Sequence, residues 1–294
     1  MSSKLQIRAK GSATDSTLIT SVTPEQAGWQ YLNFEARRLP KGAAWTGSTG
    51  ECELAIVLLG GVCDVVSSRG DWSKVGRRAN VFDGMPWALF LPRKTQFTVT
   101  AVSDNCEFAV CSAPATKDLQ PRLISPDDSK IEIRGGHNAT RQINSIIPPG
   151  FGSEKLVCVE VYTPSGNWSS YPPHKHDNHI GDAVGVAEAD LEEIYFYKFA
   201  RPDGFAFQRV YTDDRSLDEA VVAQDNDIVL VPEGYHPVAT AYGYDCYYLN
   251  FLAGSAQSLA ATFDPAHDWT RDTWDVQDPR VPLVHHQMEK KVPV

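Results

Sequence analysis

Two histidines one residue apart, His174 and His176, stand in the stretch YPPHKHD at 171–177. Extended backbone places such a pair on one face of a strand. Pro172 and Pro173, just before them, have no place inside a helix. Two imidazoles aimed at one point begin a metal site. HxH by itself is a weak signal, since it also arises in solvated loops, so partners must be sought. Glu193 opens the apolar run EIYFYKF, in which Glu193, Tyr195 and Tyr197 share a face by period-two alternation. His236 follows the turn PEGY that ends the run DIVLV. Three neutral imidazoles and one carboxylate suit a divalent ion, Zn foremost, with Mn, Fe, Co or Ni as alternatives. Such a set leaves positions for water or substrate.

The bulk of the chain fits a globular host for this site. Its 294 residues suffice for one large domain or two ordinary ones. A composition of 42% hydrophobic and 22% charged residues is that of a soluble protein. With 21 Gly and 19 Pro it leans towards strands and turns. The formal charge of -10 argues against nucleic acid, and an anionic substrate would need a local Arg or Lys. MSSKLQIRAK runs into polar GSATDST without an apolar core, so no signal peptide is read there, and no run approaches a membrane span. The cysteines form no CxxC pair and sit mostly in apolar runs, as buried thiols of a cytoplasmic protein would.

From Trp29 onward, short β-like runs alternate with turns, the pattern of a sandwich or barrel. The pattern repeats. LPRKTQFTVTAVSDNCEFAVCSA (91–113) aligns without a gap on VPEGYHPVATAYGYDCYYLNFLA (231–253), a constant offset of 140. Pro92 meets Pro232, Thr100 meets Thr240 and Cys106 meets Cys246. Upstream, FEARRLPKGAAW (34–45) resembles VEVYTPSGNW (159–168), and ELAIVLL (53–59) resembles EIYFYKF (193–199). The halves differ where the chemistry should be. The first has only TGSTGEC between its Trp and its Glu, and Gln96 stands where His236 stands in the second. The expected organisation is an N-terminal arm (1–28), a barrel without ligands (29–145, including a link at 114–145), a barrel with them (146–264), and a tail (265–294) that packs over the second domain and ends in a basic stretch.

The order HxH, Glu, then P-x-G-x-His resembles the two motifs of the cupin superfamily. That likeness implies an all-β bicupin: two antiparallel jelly-roll (double-stranded β-helix) barrels related by duplication, with metal in the C-terminal one. NWSSYPPHKHD, LEEIYFYKF, GFAFQRVYTDDRSLDE, DIVLVPEGYHPV and YYLNFLAG together resemble the 5-deoxy-glucuronate isomerase family of myo-inositol catabolism. That family is related to the 4-deoxy-5-threo-hexosulose-uronate ketol-isomerases of pectin breakdown. GDWSKVGRRANVFDGMPWALFLP carries the likeness into the first half. One departure stands out. The cupin motif leaves three or four residues between the second His and the Glu, whereas sixteen stand here. The interval, DNHIGDAVGVAEADLE, suits an inserted loop and leaves the carboxylate open among Glu188, Asp190, Glu192 and Glu193. Glu193 is favoured because EIYFY matches the internal repeat. His179 reads as solvated or adjacent to the ligands, and His137, His267, His285 and His286 as surface residues.

The resemblance implies carbohydrate metabolism: isomerisation of 5-deoxy-D-glucuronate, an aldose, to the ketose 2-deoxy-5-keto-D-gluconate through a metal-stabilised cis-enediolate. The residues leave the base open among Glu193, Tyr211, metal-bound hydroxide and Lys175, which alternates away from the ligand face. Arg209 and Tyr211 share a face, and Arg209 is expected to grip the substrate carboxylate; the plainer reading is a surface Arg paired with Asp213 or Asp214. Tyr248 and Asn250 share a face of YYLNF and could line the barrel. The 4-deoxy reaction, a cupin dioxygenase and a non-catalytic sugar-acid-binding cupin are the alternatives. Edge strands of cupin barrels often pair between subunits, which by analogy implies a homo-oligomer.

Overall fold

The computed structural model of the chain describes residues 3–182 and 184–288. The alternating runs form antiparallel strands. Helix among the described residues is confined to Pro24–Ala27 and the 3-10 segments Pro126–Asp128 and Asp268–Thr273. None is long and apolar enough to cross a membrane. The chain divides into two compact units. One gathers the N-terminal residues through Ala9 with Ile131–Pro149 and Val157–Leu283; the other gathers Lys10–Lys130, Gly150–Leu156 and the chain from Val284.

In the second of these, a six-stranded sheet runs in the order Arg122–Ile124, Trp87–Leu91, Cys52–Gly60, Cys106–Pro114, Asn33–Leu39 and Leu18–Val22. A four-stranded sheet runs Ala44–Ser48, Gln96–Ala101, Cys63–Ser67 and Gly70–Val75. Side chains of both, among them Ile56, Leu89, Val65, Phe97 and Phe108, meet in one core. The other unit repeats the plan. Its larger sheet runs Gln6–Ile7, Ile228–Val231, Leu191–Phe199, Cys246–Gly254, Val157–Thr163, Arg141–Ile147 and Ile131–Arg134, and its smaller one Trp168–Ser169, Val238–Thr240, Phe205–Tyr211 and Asp218–Gln224. The central four strands of the two larger sheets come in the same order, three of them at the sequence offset of 140 and Asn33–Leu39 with its counterpart Val157–Thr163 at a shorter one. The chain is a duplicated jelly-roll bicupin.

The unit limits differ from those the sequence suggests. Ile131–Arg134 pairs with Arg141–Ile147, which pairs with Val157–Thr163, so the extended part of the link belongs to the ligand-bearing unit. Residues 150–156 go the other way. There the buried Glu53 carboxylate accepts the N–H groups of Glu154, Lys155 and Leu156, each at 2.7 Å. The N-terminal arm is split likewise: Gln6–Ile7 joins Ile228–Val231, while Leu18–Val22 joins Asn33–Leu39. The tail stays with the ligand-bearing unit through Leu283. Its basic end, 289–294, lies outside the described residues.

Leu191–Phe199 is the strand that sets the site. Tyr195, Tyr197 and Phe199 point into a core with Val159, Val161, Val229, Val231 and Tyr248. Burying each such side chain is worth roughly 1.5–3 kcal/mol. Period-two alternation then carries Glu193 inward with them, opposite Val231 and Leu252. The PEGYH corner is set by Gly234, whose φ of +89° favours glycine. A Cβ there would stand 2.6 Å from the Tyr211 carbonyl oxygen. Gly234→Ala should therefore cost about 2 kcal/mol or more, by strain and by displacing that backbone. Denaturant unfolding checks this, and an unchanged midpoint would contradict it.

Candidate functional site

The structure brings His176, Glu193 and His236 together as a buried cluster whose ligand atoms all lie within 4.8 Å of one another. Glu193 Oε2 is the hub: His176 Nε2 lies 2.9 Å from it and His236 Nε2 3.2 Å. Each imidazole is oriented from behind. His176 Nδ1 meets the Leu191 carbonyl at 2.9 Å and His236 Nδ1 meets the Gly234 carbonyl at 2.8 Å. A carbonyl only accepts, so each Nδ1 carries the hydrogen. In a neutral ring that leaves the Nε2 lone pair facing the carboxylate.

Burial alone would raise the Glu193 carboxyl, but the hydrogen bond with His176 and the nearness of the His236 ring outweigh it and hold the group at about 2. Burial would lower His176, and its hydrogen bond to Glu193 carries it above its ordinary value instead. His236 Nε2 is buried and, though 3.2 Å from Glu193 Oε2, makes no hydrogen bond. An orphaned imidazole nitrogen beside a buried carboxylate is what a cation fits. The donor set of two imidazoles and a carboxylate is one that Zn and its neighbours accept.

His174 stands beside this cluster and is half-buried. Its ring packs edge-on against His236 at 4.8 Å between centroids and against Phe263 at 6.0 Å. The strand His174–Lys175 pairs with Thr262–Phe263, which presents His174 to the same cavity as His176. Burial first, and then the charges of His236 and Arg141, hold His174 well below its ordinary value, so it is a neutral imidazole.

Two neighbouring acids act as braces. Asp177 Oδ1 accepts the Gly234 N–H at 2.7 Å, tying the HxH stretch to the PEGYH corner. Glu188 accepts the N–H groups of Asp177 and Asn178 at 2.9 Å each and the Thr262 hydroxyl. That employment removes Glu188 from the candidate ligands. Asp190 and Glu192 do not line the cavity, and Glu193 does. His179 meets Ser255 Oγ at 2.8 Å on an exposed loop.

The cavity at the cluster holds about 90 Å³ and includes Tyr195, Tyr248, Asn250, Ser170 and Arg141 in its wall. Tyr248 and Asn250 are thus inside, as their shared face suggests. Ser170 Oγ is hydrogen-bonded to the Tyr195 hydroxyl at 3.0 Å and to the Tyr248 hydroxyl at 3.3 Å. Burial pushes both phenols up, Tyr195 well above its ordinary value, so both are neutral donors.

Arg209, Tyr211 and Lys175 are not among the residues that line this cavity. Arg209 is on the exposed face of Phe205–Tyr211, paired with Asp218 through two 2.7 Å hydrogen bonds. Its sequence neighbours Asp213 and Asp214 are not its partners. The Tyr211 hydroxyl donates to Asp264 at 2.6 Å, and Lys175 pairs with Asp213. The arginine that does line the cavity is Arg141, which sequence reasoning missed. Its signal was the alternation Arg141, Ile143, Ser145, which puts the guanidinium on the inward face of its strand.

The KduI/IolB family model matches residues 5–270. A protein of Geobacillus thermodenitrificans named 5-deoxy-glucuronate isomerase is 42% identical over 87% of this chain and 92% of its own. One of the same name from Bacillus subtilis is 39% identical over 86% of this chain and 92% of its own. The crystal structure of an IolB-like protein from Salmonella typhimurium superposes with a TM-score of 0.86 at 39% identity, over 90% of this chain and 98% of that one. Oxalate decarboxylase of Bacillus subtilis superposes at 0.60 with 11% identity, over 90% of this chain and 80% of its own, a likeness of fold alone.

Removing a ligand should cost more metal affinity than the ~10–100-fold typical of outer hydrogen-bond partners. Elemental analysis is expected to find one divalent ion per chain in the wild type and almost none in His236→Ala, with a cooperative melt in both. Equal metal content would contradict the site.

Proposed function

The chain belongs to the KduI/IolB family, and on that premise we propose that it is an aldose-ketose isomerase converting 5-deoxy-D-glucuronate to 2-deoxy-5-keto-D-gluconate in inositol catabolism. The observation that carries this reading is the Glu193 carboxylate between two imidazoles, inside a small cavity whose wall also presents two neutral phenols. The relatives that share about two fifths of the sequence carry the isomerase name over nearly their whole length.

His176, Glu193 and His236, with His174 beside them, would hold one divalent ion in the C-terminal barrel, Zn foremost. Such an ion supplies Lewis-acid polarisation of the substrate's carbonyl and hydroxyl oxygens. The rest falls to the chain. The reaction removes a proton from the carbon beside a carbonyl and returns it to the neighbouring carbon. Of the side chains expected as bases, Glu193 lies in the cavity, and its Oε1 is engaged by neither histidine. We assign proton removal to it. The Tyr195–Ser170–Tyr248 hydroxyls offer donors where the substrate oxygens gain charge, and a route along which a proton can move. Val159, Val161, Leu191 and Leu252 give the cavity an apolar side. The cytoplasm is the proposed location, in line with the buried thiols of Cys63, Cys106 and Cys246.

Incubating the purified protein with 5-deoxy-D-glucuronate in D2O, followed by NMR, tests the assignment. Conversion to 2-deoxy-5-keto-D-gluconate without oxygen uptake is expected. Oxygen consumption, or turnover confined to 4-deoxy-5-threo-hexosulose-uronate, would overturn it. Glu193→Gln should slow conversion by about 100-fold or more.

A further inference from the structure

The guanidinium of Arg141 has no carboxylate partner among the described residues, although it is only 4% exposed. One of its N–H donors is spent on the Tyr171 carbonyl at 3.2 Å. Other arginines nearby are neutralised. Arg134 is held by Glu132 at 2.8 and 3.0 Å, and Arg271 by Asp268 at 3.0 Å. Glu132 is close enough to act on Arg141 through space, yet its oxygens serve Arg134.

Arg141 lines two adjoining cavities of the same unit. One is lined by His174, His176 and Glu193. The other, about 320 Å³, is walled by Arg134, Tyr171, His174, Phe263, Arg271 and Trp274 as well. A buried cation without a counter-charge is costly to keep. That cost is recovered when a ligand brings the anion. The guanidinium presents five N–H donors in a planar fork, which matches the two oxygens of a carboxylate. One uncompensated cation suits a singly charged carboxylate better than a phosphate dianion. Hydroxyl-bearing carbons would meet neutral partners between the two ends: Ser145, Ser170, Tyr248 and Asn250.

We propose that Arg141 anchors the carboxylate of the sugar acid, so that the substrate lies with its acid end at Arg141 and its carbonyl end at the Glu193 cluster. This rests on the isomerase reading for the identity of the substrate, while the anion site itself rests on the unpaired guanidinium. Arg141, and not the exposed Arg209, is then what separates sugar acids from neutral sugars. Arg141 also touches the backbone of Tyr171, and a merely structural role through that contact would weaken every ligand alike.

Titration calorimetry on the metal-loaded protein with D-gluconate and its uncharged counterpart D-glucitol separates the two roles. Wild type should prefer gluconate. Arg141→Gln should lose gluconate affinity by roughly 30-fold or more, the scale for breaking a buried charged pair, with glucitol unchanged. Arg141→Lys keeps the charge but not the fork and should fall between; it also serves if Arg141→Gln does not fold, as judged by its melt and metal content. Equal gluconate binding in wild type and Arg141→Gln would overturn the proposal, as would parallel losses for gluconate and glucitol. Gluconate binding does not require turnover. If the protein fails to isomerise 5-deoxy-D-glucuronate while gluconate binding still depends on Arg141, the isomerase reading falls and the anion site stands.

Discussion

A carboxylate buried between imidazoles is the constraint on which the ligand-bearing unit depends. Glu193 sits on a strand whose inward neighbours are aromatic, opposite Val231 and Leu252, where burial cuts an ionised group off from bulk solvent. Such a charge is kept only if it is paired. His176 and His236 provide the pairing, and each is fixed by a carbonyl behind it. The elements around them serve that geometry. Asp177 binds the HxH stretch to the Gly234 corner, and Glu188 holds the turn after His176. The long insertion between His176 and Glu193 thus does more than separate two motifs. It supplies the brace for the first of them.

The duplicated half puts the same feature to a different use. Glu53 occupies the place of Glu193 at the head of the corresponding strand, and it too is buried. With no histidines near it in the repeat, it is satisfied by three backbone N–H groups at 154–156. One inherited inward carboxylate has become a clamp on a turn, and the other the hub of a candidate metal centre. Gln96, in the position of His236, is exposed and bonds to Ser48, completing the contrast.

Much of this was legible because strands announce themselves by alternation and because ligands cluster in short motifs. HKH, the inward phase of EIYFYKF and the glycine corner before His236 each carry a local signal. The duplication followed from the repeat, and the cupin barrel from the resemblance of the ligand order to the cupin motifs. Arg209 misled because alternation says only that Arg209 and Tyr211 share a face, and each found a partner away from the cavity: Asp218 for the one and Asp264 for the other. Arg141 was hidden for the converse reason. It lies in no motif, on a strand that sequence grouped with the first barrel, and pairing with Val157–Thr163 is a long-range fact that composition does not encode. The choice between Glu188 and Glu193 likewise needed to know which acid was already engaged by backbone.

X-ray absorption at the metal edge of the purified protein tests the carboxylate–imidazole cluster most directly. The expected spectrum has only nitrogen and oxygen scatterers, with the outer-shell pattern of two or three imidazoles, and that pattern weakens in His176→Ala. A sulfur shell, or an ion surrounded by oxygen without imidazole, would contradict it.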